Sequence, residues 1–190
     1  MSGRIQGVHP KEYKGVQYKS TLEAETAETL DKLGLPVNYE AKKIVLLEGF
    51  KCPYQKNKVI GITYKPDFTI GNIIIECKGF ETPEWRNKKK YIFKYLMENE
   101  PGTAFYQTHN SRKDILLALD DHWSHLGYAI QVTSKGSAQN PPITQLFESV
   151  GQAMEALHLK GKNIGPVLKC MMGEKDVIYG YNWKLKKLSL

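Results

Sequence analysis

The sequence predicts an α/β protein, a mixed β-sheet flanked by helices, followed by a small helix-turn-helix-like α+β module. Three observations carry that prediction. Helix-period segments alternate with short apolar, β-branched runs up to residue 133. The stretch SKGSAQNPP (134–142) then breaks the pattern with linker chemistry. Two further helix-period segments and a closing aromatic strand occupy 143–190, and no 33–50-residue repeat of the solenoid or propeller kind is present.

In chain order, residues 1–17 are polar and Gly-containing and are expected to form a loosely attached arm. A helix is expected at about 20–33, opened by Ser20 and closed by Gly34 with Pro36 beyond it. VNYEAKKIVLL (37–47) reads as a strand, and VIGITYKPDFTI and NIIIECKGF as two more, with Gly71-Asn72 between them. EWRNKKKYIFKYLMEN (84–99) is helical, with Trp85, Ile92, Phe93 and Leu96 on one side and Arg86, Lys90 and Lys94 on the other. TAFYQT is a strand, RKDILLALDDHWSHLG a helix and YAIQVT a last strand. The predicted core over 18–133 therefore has the order αβββαβαβ. In 143–190 a short strand, ITQLF, precedes a helix from Ser149, a second helix, NIGPVLKCMM, and a final strand, VIYGYNWKL.

Composition narrows the classes of function. An apolar fraction of 41% and a charged fraction of 25% are ordinary for a folded protein. The net charge of +7 favours a polyanionic partner. Cys52, Cys77 and Cys170 are odd in number and lack CxxC spacing, which points to reduced thiols in a cytosol rather than disulfides or a zinc finger. No apolar run approaches the roughly 20 residues of a membrane helix, and the N-terminal segment lacks the apolar region of a secretory signal.

The chemistry concentrates on one expected hairpin. With Gly71-Asn72 as a two-residue turn, Ile70 pairs with Ile73, Thr69 with Ile74, Phe68 with Ile75 and Asp67 with Glu76. A three-residue loop would instead set the two acids diagonally. In the first register Asp67, Thr69, Ile74, Glu76 and Lys78 share a face. Two carboxylates directly opposite each other repel unless a cation lies between them. The alternative is a solvated polar face, against which stand the apolar neighbours Phe68, Ile73, Ile74 and Ile75. Oxygen ligands suit Mg²⁺ or Mn²⁺, and such a site with Lys78 beside it suits phosphodiester hydrolysis.

YKPDFTIGNIIIECKG resembles the signature of the PD-(D/E)XK nuclease superfamily, with Pro66-Asp67 followed by Glu76-Cys77-Lys78. The resemblance implies a restriction-endonuclease-like core and metal-dependent DNA cleavage. It assigns metal binding to Asp67, Glu76 and the backbone carbonyl of Cys77, and catalysis to Lys78 with the two acids. YKSTLE and the helix after it are similar to the same region of phage endonuclease I and related phage nucleases, which implies Glu23 as a further metal ligand. Ser20-x-x-Glu23 is equally a capping box.

DNA is the expected partner. Arg86, Lys88, Lys89, Lys90 and Lys94 are expected to line a phosphate path, Arg86 and Lys90 foremost, against the alternative of a solvated charged face. Asp121, His122 and His125 read as surface decoration, and Gln107 and His109 as weaker candidates for the active face. Residues 143–190 resemble the small DNA-binding modules of intron-encoded and phage homing nucleases, matched at Phe147, Ser149, Ala153, Leu157, Ile164, Leu168, Gly180, Tyr181, Trp183 and Lys184. Most of these are scaffold. DNA contacts are expected from Lys160, Lys162, Asn163, Lys169 and Lys184, with Lys186 and Lys187 on the tail, and from a second helix placed in the major groove. The expected protein is a phage or mobile-element endonuclease in the cytoplasm of a bacterial host. Its alternatives are a homodimeric Holliday-junction resolvase and a non-catalytic DNA-binding protein. Loss of 140–190 is expected to weaken DNA binding and spare the catalytic fold.

Overall fold

A computed structural model describes residues 9–109 and 112–189. These residues form a mixed α/β structure with five helices and several β-sheets. They divide into two compact units, one from 9–36 together with 112–189, the other Val37–His109.

The first unit opens with a hairpin, β1 (Lys11–Tyr13) and β2 (Val16–Tyr18). Lys14 and Gly15 both take positive φ, 49° and 77°, as a two-residue hairpin turn of the primed kind requires. Residues 9–17 are therefore not the loose arm expected of them; residues 1–8 of that arm lie outside the described residues. Tyr18 is buried, and Asp31 accepts hydrogen bonds from the Tyr13 hydroxyl at 2.8 Å and Lys14 Nζ at 2.6 Å. Asp31 lies on α1 (Thr21–Lys32), which buries Ala24, Ala27 and Leu30 and ends at Leu33-Gly34.

The second unit carries β3 (Asn38–Tyr39), β4 (Ile44–Leu47), β5 (Ile62–Tyr64), β6 (Phe68–Ile70), β7 (Ile73–Cys77), α2 (Pro83–Asn99) and β8 (Ala104–Thr108). Two of the expected strands are each split. The 37–47 strand breaks at Glu40, whose φ is 45°, and the 59–70 strand breaks at Lys65-Pro66-Asp67. Pro66 has no N–H for a ladder and holds the residue before it away from helical angles. Both chains turn the same corner, where Lys65 Nζ meets Glu40 Oε2 at 2.9 Å and the Glu40 N–H meets the Asp67 carbonyl at 2.9 Å. The result is a four-stranded sheet in the order β3-β6-β7-β8 and a separate β4–β5 pair. β8 runs parallel to β7, and the other neighbours in that sheet are antiparallel. Ile44, Tyr64, Ile74, Trp85, Ile92 and Leu96 form the core that joins β4–β5, β7 and α2.

The rest of the first unit comprises α3 (Arg112–Asp120), β9 (Tyr128–Ser134), β10 (Thr144–Phe147), α4 (Val150–Ala156), α5 (Ile164–Met171) and β11 (Tyr181–Lys187). β9 was expected to end the αβββαβαβ core. It is instead the centre of a three-stranded sheet, β10-β9-β11, antiparallel throughout. The linker expected at 134–142 is accordingly the loop of the β9–β10 hairpin. The Ser134 N–H bonds the Ile143 carbonyl at 2.9 Å, and the Ile143 N–H returns to Ser134 Oγ at 2.8 Å. Asp120 caps α4, taking the N–H groups of Val150 at 2.7 Å and Gly151 at 3.0 Å. Ile130, Val132, Trp183, Val167 and Leu168 are buried.

Candidate active site

The β6–β7 hairpin has the register read from its turn. Phe68 pairs with Ile75, Thr69 with Ile74 and Ile70 with Ile73. Gly71 supplies the positive φ, 55°, at the first turn position, and the Asn72 side chain donates to the Gly102 carbonyl at 2.8 Å. The ladder stops one pair short of Asp67 and Glu76, because Pro66 begins the corner. The two acids are joined another way. Asp67 Oδ2 accepts the Cys77 N–H at 2.7 Å, and the Asp67 N–H points to the Glu76 carboxylate. Each carboxylate thus bonds backbone on the strand of the other.

Glu76 is only 5% exposed. Burial pushes its carboxyl above the ordinary carboxylate range, while the Tyr64 hydroxyl, Lys78, Lys88 and the Asp67 N–H pull it back down. Tyr64, at the end of β5, donates to Glu76 Oε2 at 2.8 Å. Its own hydroxyl is pushed far up by burial and then by the charge of Glu76. Lys78 Nζ sits 4.8 Å from the centre of the Trp85 ring, and Lys88 Nζ 5.8 Å from that of Tyr64. Asp67, Glu76 and Lys78 are therefore brought together beside two aromatic faces.

A second shell of hydrogen bonds fixes the backbone of Lys78. Its N–H bonds the Thr108 carbonyl at 2.9 Å, and its carbonyl lies 2.7 Å from His109 Nδ1. His109 Nε2 is 3.2 Å from Gln107 Nε2, and Gln107 Oε1 accepts from Trp85 Nε1 at 3.0 Å. The arrangement is consistent when His109 Nδ1 carries the proton and Nε2 accepts. Lys89 reaches the same amide oxygen at 3.4 Å and pairs with Glu81, whose carboxyl it holds below the ordinary range. Gln107 and His109, the weaker candidates in the sequence, are thus attached to Trp85 and to the backbone of Lys78.

On α2 the phase is the one read from the sequence, except at Phe93. Trp85, Ile92 and Leu96 are buried, and Lys88 and Lys89 are the half-buried cations on that side. Arg86, Lys90 and Lys94 are exposed; Lys94 pairs with Glu98 at 3.3 Å and Lys90 meets Asn87 at 3.3 Å. Phe93, expected on the inner side, is 43% exposed.

Glu23 belongs to the first unit, where it serves the N-terminus of α1 in a variant of the capping box that takes the Lys19 amide rather than that of Ser20. Its oxygens accept from Ser20 Oγ at 2.9 Å and the Lys19 N–H at 3.1 Å, and its own N–H bonds Ser20 Oγ at 3.2 Å. Of its two alternatives, the cap is the one this geometry contains. In the same unit the Asn163 side chain caps α5 by accepting the Gly165 N–H at 2.9 Å, so its amide oxygen serves the helix. Lys160 pairs with Glu155 at 3.5 Å, and Lys162, Lys169 and Lys184 are exposed. His122 and His125 have ring centres 6.5 Å apart.

Among the described residues no group of three or more His, Cys, Asp or Glu side chains is placed to hold a metal ion. The oxygen donors at the corner are two carboxylates and the Cys77 carbonyl, a hard donor set suited to Mg²⁺ or Mn²⁺. A buried carboxylate raised by desolvation is also what a nearby cation would relieve. Comparison with known protein families, with curated proteins and with solved structures gave no match.

Tyr64 is the site residue that sequence reading missed. Alternation along the chain is lost at the Lys65-Pro66 corner, so nothing in the spacing connects Tyr64 to Glu76. Pro66 was the available signal, since a proline inside a strand pattern marks a break.

Proposed function

We propose that the chain is a metal-dependent DNA endonuclease of the PD-(D/E)XK kind, with Val37–His109 holding its restriction-endonuclease-like catalytic centre. The observation that carries this is the reciprocal bonding of Asp67 and Glu76 across the hairpin, with Lys78 beside them. Asp67, Glu76 and the carbonyl of Cys77 would hold Mg²⁺ or Mn²⁺. Such an ion supplies a more acidic water and neutralises charge on a phosphate. Tyr64 keeps Glu76 oriented and hydrogen-bonded while buried. The Lys78 ammonium, resting on Trp85, would orient the attacking water or stabilise the charge that develops on the phosphoryl oxygens. His109 and Gln107 hold the strand that carries it. Glu23, which the resemblance offers as a further ligand, also serves the N-terminus of α1.

Asp67→Ala and Lys78→Ala should each abolish Mg²⁺-dependent nicking of supercoiled plasmid while binding of duplex DNA in chelator stays within about threefold, since phosphate contacts elsewhere dominate affinity. Full activity in either variant, or wild-type cleavage that survives chelator, would overturn the mechanism.

A further inference from the structure

We infer that the solvent face of the β10-β9-β11 sheet is a surface that reads duplex DNA, an inference that rests on the nuclease reading above. Side chains alternate across a strand, so Trp183 and Val132, which pair and are both buried, mark the inner face. The helices α4 and α5 pack against this sheet. The outer face then carries Asn182, Lys184 and Lys186 along β11, Ala129, Gln131 and Thr133 along β9, and Thr144 and Leu146 along β10. Asn182, Thr133 and Thr144 make one polar row, and the row of Lys184 and Gln131 ends at Leu146. Lys135 continues the β9 alternation and bonds the Gly180 carbonyl through its N–H at 3.0 Å. Lys135, Lys184 and Lys186 are exposed, and none of β9, β10 or β11 contains an Asp or Glu.

Charge and chemistry both fit a nucleic-acid groove. The lysines supply phosphate contacts, and side-chain amides and hydroxyls are the groups that read base edges. The Asn182 amide is held in place by donating to the Asp176 carbonyl at 2.7 Å. β11 is an edge strand of the sheet, so its lysines lie at the margin where a phosphate backbone can approach them. α5 turns Val167, Leu168, Cys170 and Met171 inward and is capped by Asn163 Oδ1, while Lys162 and Lys169 are exposed.

The test uses the full chain with a duplex of mixed sequence, in chelator. Lys184→Gln with Lys186→Gln should raise Kd about tenfold and lower the salt-dependence slope by about two, while Lys162→Gln with Lys169→Gln changes Kd by less than about twofold. Thermal melting checks the fold; should the double variant melt early, each single variant is expected to raise Kd about threefold and lower the slope by about one. Unchanged binding in the sheet variants, or a larger loss in the α5 pair, overturns the inference. Plasmid nicking by the wild type is scored separately. Nicking with unaltered binding by the sheet variants sinks the surface and leaves the nuclease. Sheet-dependent binding without nicking sinks the nuclease and leaves the surface.

Discussion

At Glu76 a buried carboxylate is held by a phenol and a backbone N–H. Without the Tyr64 hydroxyl, Glu76 Oε2 would keep its burial and lose a partner. A hydrogen bond to a charged group contributes about 1.5–3 kcal/mol net. Tyr64→Phe removes that bond and fills the same space, so urea denaturation at neutral pH should show a loss of about 2 kcal/mol. An unchanged midpoint would mean that the bond stabilises nothing. Because the hydroxyl pulls the Glu76 carboxyl down, its loss raises that carboxyl further, and the acidic limb of the cleavage profile should move to higher pH. The acids and Lys78 were legible in the sequence because one strand and one turn place them. Tyr64 was not, since its approach depends on a corner and on β5 folding over β7. Lys88 and Lys89 were legible as part of a basic helix beside the site, not as the half-buried pair on its inner side. Which side of α2 faces the site depends on how Trp85 and Ile92 pack, and the bare charge pattern favoured Arg86 and Lys90 instead.

Among the elements, three pairs of the β6–β7 hairpin were readable because register follows from the turn; the fourth, Asp67 with Glu76, is lost to the Pro66 corner. The β1–β2 hairpin was missed, although Lys14-Gly15 sits between two short alternating runs; three-residue strands give too little period to stand out from a polar segment. Its anchor is electrostatic. The Lys14 ammonium, then the Tyr13 hydroxyl, hold the Asp31 carboxyl below its ordinary 3.8. A lowered carboxyl stabilises the fold above its unfolded value, and the contribution fades as pH falls through the folded one. The melting temperature of Asp31→Asn should therefore lie below that of the wild type at neutral pH, and the gap should close as pH drops below 3.8. A gap that stays constant into strong acid would show that Asp31 acts by packing alone. High salt should narrow the gap as well, because Lys14 and Tyr13 lie at the surface.

At the scale of the whole molecule the sequence suggests a C-terminal module that can be cut away, and the strand pairing argues otherwise. β9 precedes the Pro- and Ser-containing stretch, yet both of its neighbours, β10 and β11, follow it. Composition cannot tell a linker from a hairpin loop, because Ser, Asn and Pro serve both; the difference lies in long-range pairing that no local pattern records. A chain ending after residue 140 would lose β10, α4, α5 and β11. β9 would then have two open edges, and Ile130 and Val132, 0% and 2% exposed, would face water. Re-exposing each aliphatic side chain costs about 1.5–3 kcal/mol. Trp183, Val167, Leu168 and the cap that Asp120 gives α4 go with the deleted segment. Losses of that size approach the roughly 5–15 kcal/mol that hold a domain together. The truncated chain should accordingly bind an apolar dye and lose the cooperative melting of the first unit, with aggregation following from the open edges of β9. A soluble truncation that melts as sharply as the intact chain would refute this and restore 143–190 as an independent module.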